Sequence, residues 1–466
     1  MPIPSATVSR KLASIVSEKI GADIAARGLA EGELVGSEAE LLAQYDVSRA
    51  VFREAVRLLE HQQSARMRRG PGGGLVVTTP DGESAFNAAM VYLLHGRADL
   101  DEVLEVRLVL EASAALLAAE RMHAAGIAEL NALVQRERKG LQADARDLHG
   151  LVARLSGNPA LDFFVDLLTR MARVFTPDVA ADDTVVRDAT CGAHAKIVQS
   201  IVSGDGATAA TRMERHLRAE ADYIAAHLPS SLRLGSVFSA APADQKLGEH
   251  VARAVFADVV ASGWRVGASL GSEAELMAHY DVSRAILREA ARLLEHHGIA
   301  SMRRGPGGGL FVAAPAIDAT SAAAAVYLDR RGVQARHLFE LRSIVEMAVL
   351  ERVIDRLDQP MIDRLRAVQD VERAASTDRF RVVGHDLHVV LGELSGNRVL
   401  ALCTDVLVRL SRERGAVPAD APDAELPTTD VVHTHDRIVD AIVARDSEKA
   451  RARMNRHLNA LARWVR

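Results

Sequence analysis

Histidines at matched spacings are the residues of this sequence best suited to binding a metal. His194 and His216 each lie 11 residues from Asp205, which sits in a short break between two stretches of helical periodicity. In an antiparallel helical hairpin, equal distances from the turn place the two imidazoles at the same height. His149 lies on a third predicted helix. Imidazoles from three helices can bind one divalent ion, and zinc or nickel is the ion we expect.

The same arrangement recurs later in the chain. His435 and His457 each lie 11 residues from Asp446, and His388 precedes the tetrapeptide LSGN by the same interval as His149 does. A single helical histidine is more often solvated or hydrogen-bonded in a core than a ligand. Two triads with the same layout favour a shared role instead, and we therefore predict one divalent metal site per triad.

The helices that must position these histidines belong to an internal duplication. The segment GSEAELLAQYDVSRAVFREAVRLLEH at 36–61 returns 235 residues later, at 271–296, as GSEAELMAHYDVSRAILREAARLLEH. A period this long indicates duplicated domains and not a solenoid of short repeats. In each half a short domain with a glycine-rich stretch precedes a long helical one. The predicted domains are 1–80, 81–228, 246–315 and 316–466, with a linker at 229–245.

The short domain of each half has the pattern of a winged helix-turn-helix. Ser37 and Glu40 form a capping box for a short helix, and Ser48 can cap the next helix after a tight turn. Two short strands are predicted around the glycine-rich tip of the segment RMRRGPGGGLVV at 66–77. Another helix precedes these elements, with apolar residues at helical spacing at Leu12, Ile15, Val16, Ile20 and Ile24.

One face of the helix that follows Ser48 is basic. Its arginines recur every four residues, as Arg49, Arg53 and Arg57 in the first copy and as Arg284, Arg288 and Arg292 in the second. Guanidinium groups bind phosphate oxygens and can also contact guanine with two hydrogen bonds. An arginine ladder is usually a solvated face, but its presence in both copies beside a glycine wing favours binding to double-stranded DNA.

The string EGELVGSEAELLAQYDVSRAVFREAVRLLE resembles the DNA-binding domain of GntR-type bacterial transcription regulators, in which SE-x-EL, VSR and RE-A-x-R-x-LE precede a glycine wing. The resemblance implies that helix and wing residues contact the operator: Ser48, Arg49, Arg53, Arg68, Arg69 and Gly70, and in the second copy Ser283, Arg284, Arg288, Arg303, Arg304 and Gly305. Many members have an arginine inside SE-x-EL, where this chain has Ala39 and Ala274. A different operator sequence or affinity is therefore expected.

The long domain of each half is predicted to be an all-α bundle. Arg107 and Glu111 lie one turn apart on an otherwise apolar helix, and Arg342 and Glu346 repeat the pair. The domain is similar to the FCD ligand-sensing domain that follows the winged helix in the FadR subfamily of these regulators. That resemblance implies that Arg107 and Arg342 contact the carboxylate of a small-molecule effector.

The FCD resemblance also implies a metal ligand that this sequence has replaced. Metal-binding members have an aspartate four residues before the first histidine of the triad, where this chain has Ala145 and Gly384. Asp147 and Asp386 lie two residues before that histidine and therefore face another side of the helix. The expected site is a set of three histidines completed by water or effector, and a pocket that binds no metal is the alternative.

Composition narrows the classes of function. The 466-residue chain has 48% hydrophobic and 26% charged residues, and no apolar run approaches the length of a membrane span. Two cysteines provide neither a disulfide framework nor a thiolate zinc site. With a net charge of −5, any DNA contact must come from local basic faces. These features predict a cytoplasmic protein without membrane contact, and the resemblance to GntR-type regulators implies a bacterial one.

The sequence as a whole predicts a mostly α-helical, tandemly duplicated transcription regulator whose operator affinity is modulated by a small-molecule effector. One chain carries two DNA-binding domains, so we expect a monomer that acts as a pseudo-dimer, or a homodimer of the duplicated chain. A metal-dependent enzyme is disfavoured, because no general base or nucleophile accompanies the histidines. An architectural DNA-binding protein without an effector is the other alternative, and it predicts shallow sequence preference.

Overall fold

The computed structural model describes the chain from residue 12 to residue 462 with internal gaps. The residues outside the description within that range are 14, 18, 22, 25–26, 62–63, 69, 71, 79–81, 140–145, 177–183, 228–231, 233, 235–246, 304, 306, 375–385 and 416–427. The predicted linker at 229–245 therefore lies outside the described residues, apart from residues 232 and 234. No described helix is long and apolar enough to cross a membrane.

The first winged domain, residues 12–78, contains helices and a three-stranded sheet. After a helical segment within residues 12–24, its elements are β1 (Leu34–Gly36), α1 (Glu38–Tyr45), α2 (Arg49–His61), β2 (Ala65–Arg68) and β3 (Gly74–Val77). Strand β3 is central and pairs antiparallel with both β1 and β2. The predicted two-stranded wing is thus part of a larger sheet, and β1 was missed because three residues are too few to show an alternating pattern.

The helices of this domain turn most of their apolar residues towards its core. The apolar residues of α2, among them Phe52, Ala55 and Leu59, are buried. In the helical segment before β1, however, only part of the apolar stripe faces the core. Leu12 and Ile15 are 41% and 42% exposed, because a core this small does not cover the whole stripe.

The first helical domain, residues 82–227, is a bundle around one central helix. Its helices are α3 (Glu83–His95), α4 (Leu100–Glu120), α5 (Ala124–Arg138), α6 (Arg146–Leu155), α7 (Pro159–Phe175), α8 (Thr184–Val202) and α9 (Gly206–Ala226). Helix α4 packs against α6, α7, α8 and α9. Helices α8 and α9 form the predicted hairpin, and the Asp205 side chain caps α9 by accepting the Thr208 N–H at 3.0 Å.

The second half repeats both domains. The second winged domain, residues 247–313, contains α10 (Leu247–Ala261), β4 (Ser269–Gly271), α11 (Glu273–His279), α12 (Arg284–His296), β5 (Ala300–Arg303) and β6 (Gly309–Val312). Its sheet has the same order, with β6 between β4 and β5. At the start of β6 only glycine fits, because Gly309 has a φ of 153° and an added Cβ would lie 2.3 Å from the carbonyl oxygen of Gly271.

The second helical domain, residues 316–462, repeats the bundle. Its helices are α13 (Ile317–Arg330), α14 (Ala335–Arg356), α15 (Gln359–Ala374), α16 (Asp386–Leu394), α17 (Arg398–Gly415), α18 (Thr428–Val443) and α19 (Ser447–Leu461). Helix α14 is the counterpart of α4 and packs against α16, α17, α18 and α19. Asp446 caps α19 as Asp205 caps α9, by accepting the Lys449 N–H at 3.0 Å.

The two helical domains pack together through equivalent residues. Asn158, the last residue of the first LSGN tetrapeptide, donates from Nδ2 to Glu340 on α14 at 2.9 Å. Asn397, the last residue of the second tetrapeptide, donates from Nδ2 to Glu105 on α4, also at 2.9 Å. Because Glu105 and Glu340 occupy equivalent positions in the repeat, the contact is reciprocal. The two helical domains are thus related by a pseudo-two-fold arrangement.

The two winged domains are attached differently. The apolar core of the first winged domain forms a cluster of its own, whereas the core of the second is continuous with that of the helical domains. Trp264 contacts the edge of His95 on α3 with ring centroids 5.2 Å apart, and His296 lies within 3.1 Å of the Ser84 hydroxyl. The second winged domain is therefore docked on the first helical domain.

Candidate DNA-binding faces and metal centres

The basic face of α2 is open to solvent. The side chains of Arg49 and Arg53 are 69% and 68% exposed. Their nearest anion is Glu38 on α1, whose Oε1 lies 3.2 Å from the Nε of Arg49 and 4.0 Å from that of Arg53. Exposed ion pairs of this kind contribute about 0–1 kcal/mol, so a phosphate can replace the glutamate. The side chain of Arg57 lies outside the described residues.

Helix α12 has an equivalent basic face in the second winged domain. Arg284 and Arg288 are 66% and 59% exposed and pair with Glu273, which takes the place of Glu38. Arg292 is also exposed, one turn further along the helix. The closest pair is Arg288 Nε to Glu273 Oε1 at 2.8 Å. Both copies therefore hold a row of solvent-facing guanidinium groups on the second helix of a helix-turn-helix.

The predicted serines begin these helices. Ser48 Oγ accepts the N–H of Val51 at 3.4 Å, and Ser283 Oγ accepts the N–H of Ile286 at 3.5 Å. They cap the N-termini of α2 and α12, the ends of a recognition helix that contact base edges in helix-turn-helix proteins. Ala39 and Ala274 are exposed on α1 and α11, where they add no charge to the surface.

The wings are described in part. Gly70 and Gly305 adopt positive φ values of 103° and 95° at the strand connections. Arg68 donates from Nη2 to the carbonyl of Gly72 at 3.0 Å, and the Arg303 guanidinium lies 4.1 Å from the centre of the Phe311 ring. Arg69 and Arg304, which the resemblance places at the wing tips, lie outside the described residues.

The first histidine triad converges as expected from the sequence. His149 on α6, His194 on α8 and His216 on α9 are all buried. The Nε2 atom of His216 lies 3.3 Å from that of His194 and 3.4 Å from that of His149. Three nitrogens of one kind therefore point at one another in the core of the bundle.

The second triad has the same geometry. His388 on α16, His435 on α18 and His457 on α19 are buried. The Nε2 atom of His457 lies 3.1 Å from that of His435 and 3.2 Å from that of His388. A tetrahedral ion with metal–nitrogen distances of about 2.0–2.1 Å holds its nitrogen ligands roughly 3.3 Å apart. The residues of both triads fit a divalent metal of this size.

Carboxylates determine which ring nitrogen faces each centre. In the first triad, Nδ1 of His149 contacts Glu111 and Nδ1 of His194 lies 2.8 Å from Glu137. A carboxylate accepts the Nδ1 proton, which leaves the Nε2 atom of a neutral imidazole as a lone-pair donor. Converging lone pairs repel one another unless a cation binds between them, and carboxylates behind the ligands are typical of histidine–metal sites.

The second triad has matching carboxylates. Glu346 accepts from Nδ1 of His388 at 2.6 Å, and Glu372 accepts from Nδ1 of His435 at 2.9 Å. Burial lowers the pKa of His388, and burial together with the neighbouring imidazoles lowers the pKa of His216 in the first triad to about 3. Neutral imidazole is the form that binds a metal ion.

The family aspartate has no described replacement at either centre. The carboxylate of Asp386 accepts from Nη2 of Arg412 at 2.9 Å and is held in that ion pair. Ala145, Gly384 and the side chain of Asp147 lie outside the described residues. Within the described part of the chain, each centre therefore offers three nitrogen ligands.

The predicted effector arginines lie next to the triads. Arg107 and Arg342 are 1% and 0% exposed, and each donates from Nε to the glutamate one turn later, Glu111 at 2.6 Å and Glu346 at 2.7 Å. Although burial alone raises the pKa of Glu111, Arg107 and His149 lower it to about 2, and Glu346 behaves in the same way. In each half, one glutamate therefore binds both the buried arginine and a histidine of the triad.

Three functional residues were missed by the sequence reasoning. Glu137 and Glu372 were detectable, because they occupy equivalent positions 235 residues apart and keep their identity. Glu220, which accepts from Nη1 of Arg107 at 3.0 Å, gave no such signal. The equivalent residue in the second half is Leu461, so the two copies differ at this position. A contact between helices that is present in only one copy cannot be found by comparing the copies.

Two winged domains with exposed basic helices, each joined to a helical domain with a buried polar centre, define a DNA-binding transcription regulator that responds to an effector. The FCD domain model matches residues 102–219 and 337–460, which together exceed half of the chain. The model described as "Bacterial regulatory proteins, gntR family" matches residues 247–312. The chain belongs to the gntR family of regulators, with the FCD domain present twice.

Known repressors align with about half of the chain. The HTH-type transcriptional repressor NanR of Cronobacter sakazakii is 30% identical over 231 residues, which are 47% of this chain and 83% of that protein. NanR of Salmonella newport is 30% identical over 208 residues, 42% of this chain and 77% of that protein. A solved structure, Streptococcus agalactiae GntR, aligns at 21% identity with a TM-score of 0.39 and covers 46% of this chain and 99% of that one.

Proposed function

We propose that one chain binds a pseudo-palindromic operator as an intrachain pseudo-dimer in the cytoplasm, without enzymatic activity, and that a carboxylate effector bound in the helical domains changes its operator affinity. The observation that carries the proposal is the repeated row of exposed arginines on α2 and α12. The aligned NanR proteins are named as repressors, which supports repression as the mode of regulation.

Operator recognition rests on the two basic helices. Arg49, Arg53, Arg284 and Arg288 are exposed, and their ion-pair partners among the described residues are the glutamates Glu38 and Glu273. They can therefore exchange those partners for phosphates and base edges. Phosphate contacts position a protein on DNA, whereas bidentate contacts to guanine supply sequence preference. The capping serines Ser48 and Ser283 place the helix ends for that contact, and Arg68, Gly70, Arg303 and Gly305, with Arg69 and Arg304, supply the wings.

The pseudo-dimer is supported by the packing of the helical domains. The reciprocal Asn158–Glu340 and Asn397–Glu105 contacts relate the two halves as the subunits of a two-fold dimer are related. Two-fold operators need two DNA-binding domains in that relation. One chain therefore supplies what two chains supply in an ordinary member, and a homodimer of the duplicated chain would carry four such domains.

Each histidine triad is proposed to hold one zinc or nickel ion through its three Nε2 atoms. When bound, the ion supplies a Lewis-acidic coordination position for an anionic ligand. The carboxylates behind the triads fix the orientation of the imidazoles; these are Glu111, Glu137, Glu346 and Glu372. The buried arginine of each half provides positive charge beside the triad. That chemistry suits a carboxylate effector.

The docking of the second winged domain on the first helical domain can couple effector binding to DNA binding. The second winged domain contacts α3 of the first helical domain through Trp264 and His296. A change in the bundle that moves α3 therefore moves α12. Effector and operator would then influence each other's affinity reciprocally, as any two linked sites do.

The basic helices are tested by removing the central arginine of each. An operator selected by the wild-type chain from random duplexes is the probe, and anisotropy at fixed salt is the measurement. R53A combined with R288A should weaken binding by about 1–3 kcal/mol per arginine. The matched control is R218A with R451A, which removes two exposed arginines from the helical domains. Unchanged operator affinity in the first variant would exclude these helices as the readers.

The stoichiometry of the complex tests the pseudo-dimer. We expect one chain per operator duplex when the mass of the complex is measured at concentrations just above the dissociation constant. A smallest specific complex with two chains would show that the intrachain pair does not act as the DNA-binding unit. Equal affinity for the selected operator and for random duplexes would favour the architectural alternative instead.

A further inference from the structure

The two effector arginines have different surroundings, although the helices that carry them are copies. Arg107 and Arg342 bind equivalent glutamates through Nε, as described above. They differ at the far end of the guanidinium group, where Nη1 and Nη2 donate. The residues at that end come from other helices of the bundle, so the central helices do not determine the difference.

In the first helical domain the far end is already neutralised. Nη1 of Arg107 donates to the Glu220 carboxylate at 3.0 Å, and Glu220 lies on α9 one turn after His216. Burial alone raises the pKa of Glu220, but Arg107 together with the nearby histidines lowers it overall, so the carboxylate is charged. One buried cation therefore faces two carboxylates, Glu111 and Glu220.

In the second helical domain the far end is incompletely paired. Nη1 of Arg342 donates to the Ser411 hydroxyl at 3.0 Å, and Nη2 is buried with no hydrogen-bond partner among the described residues. Leu461 replaces Glu220 one turn after His457, and Ser411 takes the place of Ala172. A buried guanidinium N–H without an acceptor is costly, so an acceptor that reaches it gains binding free energy.

We infer that only the second helical domain binds the carboxylate effector, because Glu220 supplies a built-in carboxylate to Arg107 in the first. This inference rests on the proposed function and makes it more specific. Because the two triads are alike, a bound metal ion would attract a carboxylate equally in both domains. The difference lies at the arginine: in the first domain an entering carboxylate would be the third one around Arg107, and like charges repel strongly at low dielectric. In the second domain it would join a single ion pair and complete the hydrogen bonds of Arg342.

The inference makes one position the selectivity determinant. Glu220 would exclude a further anion from Arg107, and Leu461 leaves Arg342 without such a carboxylate. The chain would then respond to one effector molecule and show no cooperativity between pockets, while both histidine triads remain alike. The first helical domain would act as the fixed partner on which the second winged domain is docked.

Exchanging the two residues tests the inference. Equilibrium dialysis of radiolabelled succinate, with unlabelled succinamide as the uncharged competitor, counts bound carboxylate per full-length, zinc-saturated chain. We expect one succinate for the wild type, two for E220L, none for L461E and one for the double exchange. E220Q removes the charge but keeps the shape, and it should bind two as E220L does. Unchanged zinc content and far-UV circular dichroism identify the folded variants.

Two results would overturn the inference in different ways. Two succinates per wild-type chain, or one in both E220L and E220Q, would overturn the asymmetry alone and leave the carboxylate effector in place. No succinate bound by the wild type or by either Glu220 variant would overturn the asymmetry together with the carboxylate part of the proposed function. Operator binding by Arg53 and Arg288 is measured separately and does not depend on either outcome.

Discussion

The two helical domains share their histidine triads but differ in how they balance a buried arginine. In the first domain Arg107 has two carboxylate partners. In the second, Arg342 has one carboxylate and one hydroxyl partner, and its Nη2 finds no hydrogen-bond partner in the part of the chain that the structure describes. The winged domains differ as well, because only the second is continuous with the helical core. Duplication within one chain thus lets equivalent sites diverge, which a homodimer of identical subunits cannot do.

The largest expected effect comes from removing the buried arginines. R107M leaves Glu111 and Glu220 without their cation, and breaking a buried ion pair from one side costs about 3–5 kcal/mol. R342M leaves only Glu346, which keeps its bond to His388, and it also removes an unsatisfied Nη2. We expect R107M to lower the free energy of unfolding of the helical domains by more than R342M does. Urea denaturation followed by circular dichroism measures both, and an equal or larger loss in R342M would contradict the comparison.

A smaller effect tests the difference between the winged domains. Trp264 is 7% exposed, donates from Nε1 to the Ala313 carbonyl at 2.8 Å and contacts His95. W264A should cost about 3 kcal/mol, the low end for truncating a buried tryptophan. Leu29 is the equivalent residue and is only partly buried, so L29A should cost less. Hydrogen exchange should rise in α10 and α12 and also in α3 of the first helical domain in W264A, and a rise confined to the second winged domain would refute the docking.

Metal removal tests what the two halves have in common. We expect two metal ions per chain, one in each single variant H149A and H388A, and none in the double variant, as counted by elemental analysis. At a free metal concentration 100 times the dissociation constant, the ion adds about 2.7 kcal/mol of stability that a chelator should remove. H227A, at an exposed histidine, is the control. Retention of both ions in H149A would exclude His149 as a ligand.

The smallest expected effect concerns the glutamates beside the basic helices. E273Q and E38Q each remove one negative charge from a DNA-facing surface, so operator affinity should rise by less than about 1 kcal/mol. The rise should be larger for E273Q, because Glu273 lies 2.8 Å from Arg288 Nε, whereas Glu38 lies 4.0 Å from Arg53 Nε. Anisotropy with the same operator measures both, and weaker binding in E273Q would show that the glutamate positions its arginine for DNA.

Much of the candidate site could be predicted from spacing alone. The turn-to-histidine intervals predicted that His194 meets His216 and that His435 meets His457, because a helical hairpin keeps its register over a few turns. The capping boxes and the arginine rows depend on residues three or four positions apart, so they were equally predictable. Strand β1 and the exposure of Leu12 were not, because they depend on what the rest of a small domain covers.

The sequence by itself determined the duplication, the helical periodicity and the residue types at each repeated position, since these are local or periodic properties of the chain. Only the tertiary structure decided which carboxylate meets which buried arginine. Glu220 lies 113 residues from Arg107, and helix packing alone brings the two charges to 3.0 Å. Charge balance around a buried side chain is a property of neighbours in space, so the difference between Arg107 and Arg342 is visible only when the bundle is folded.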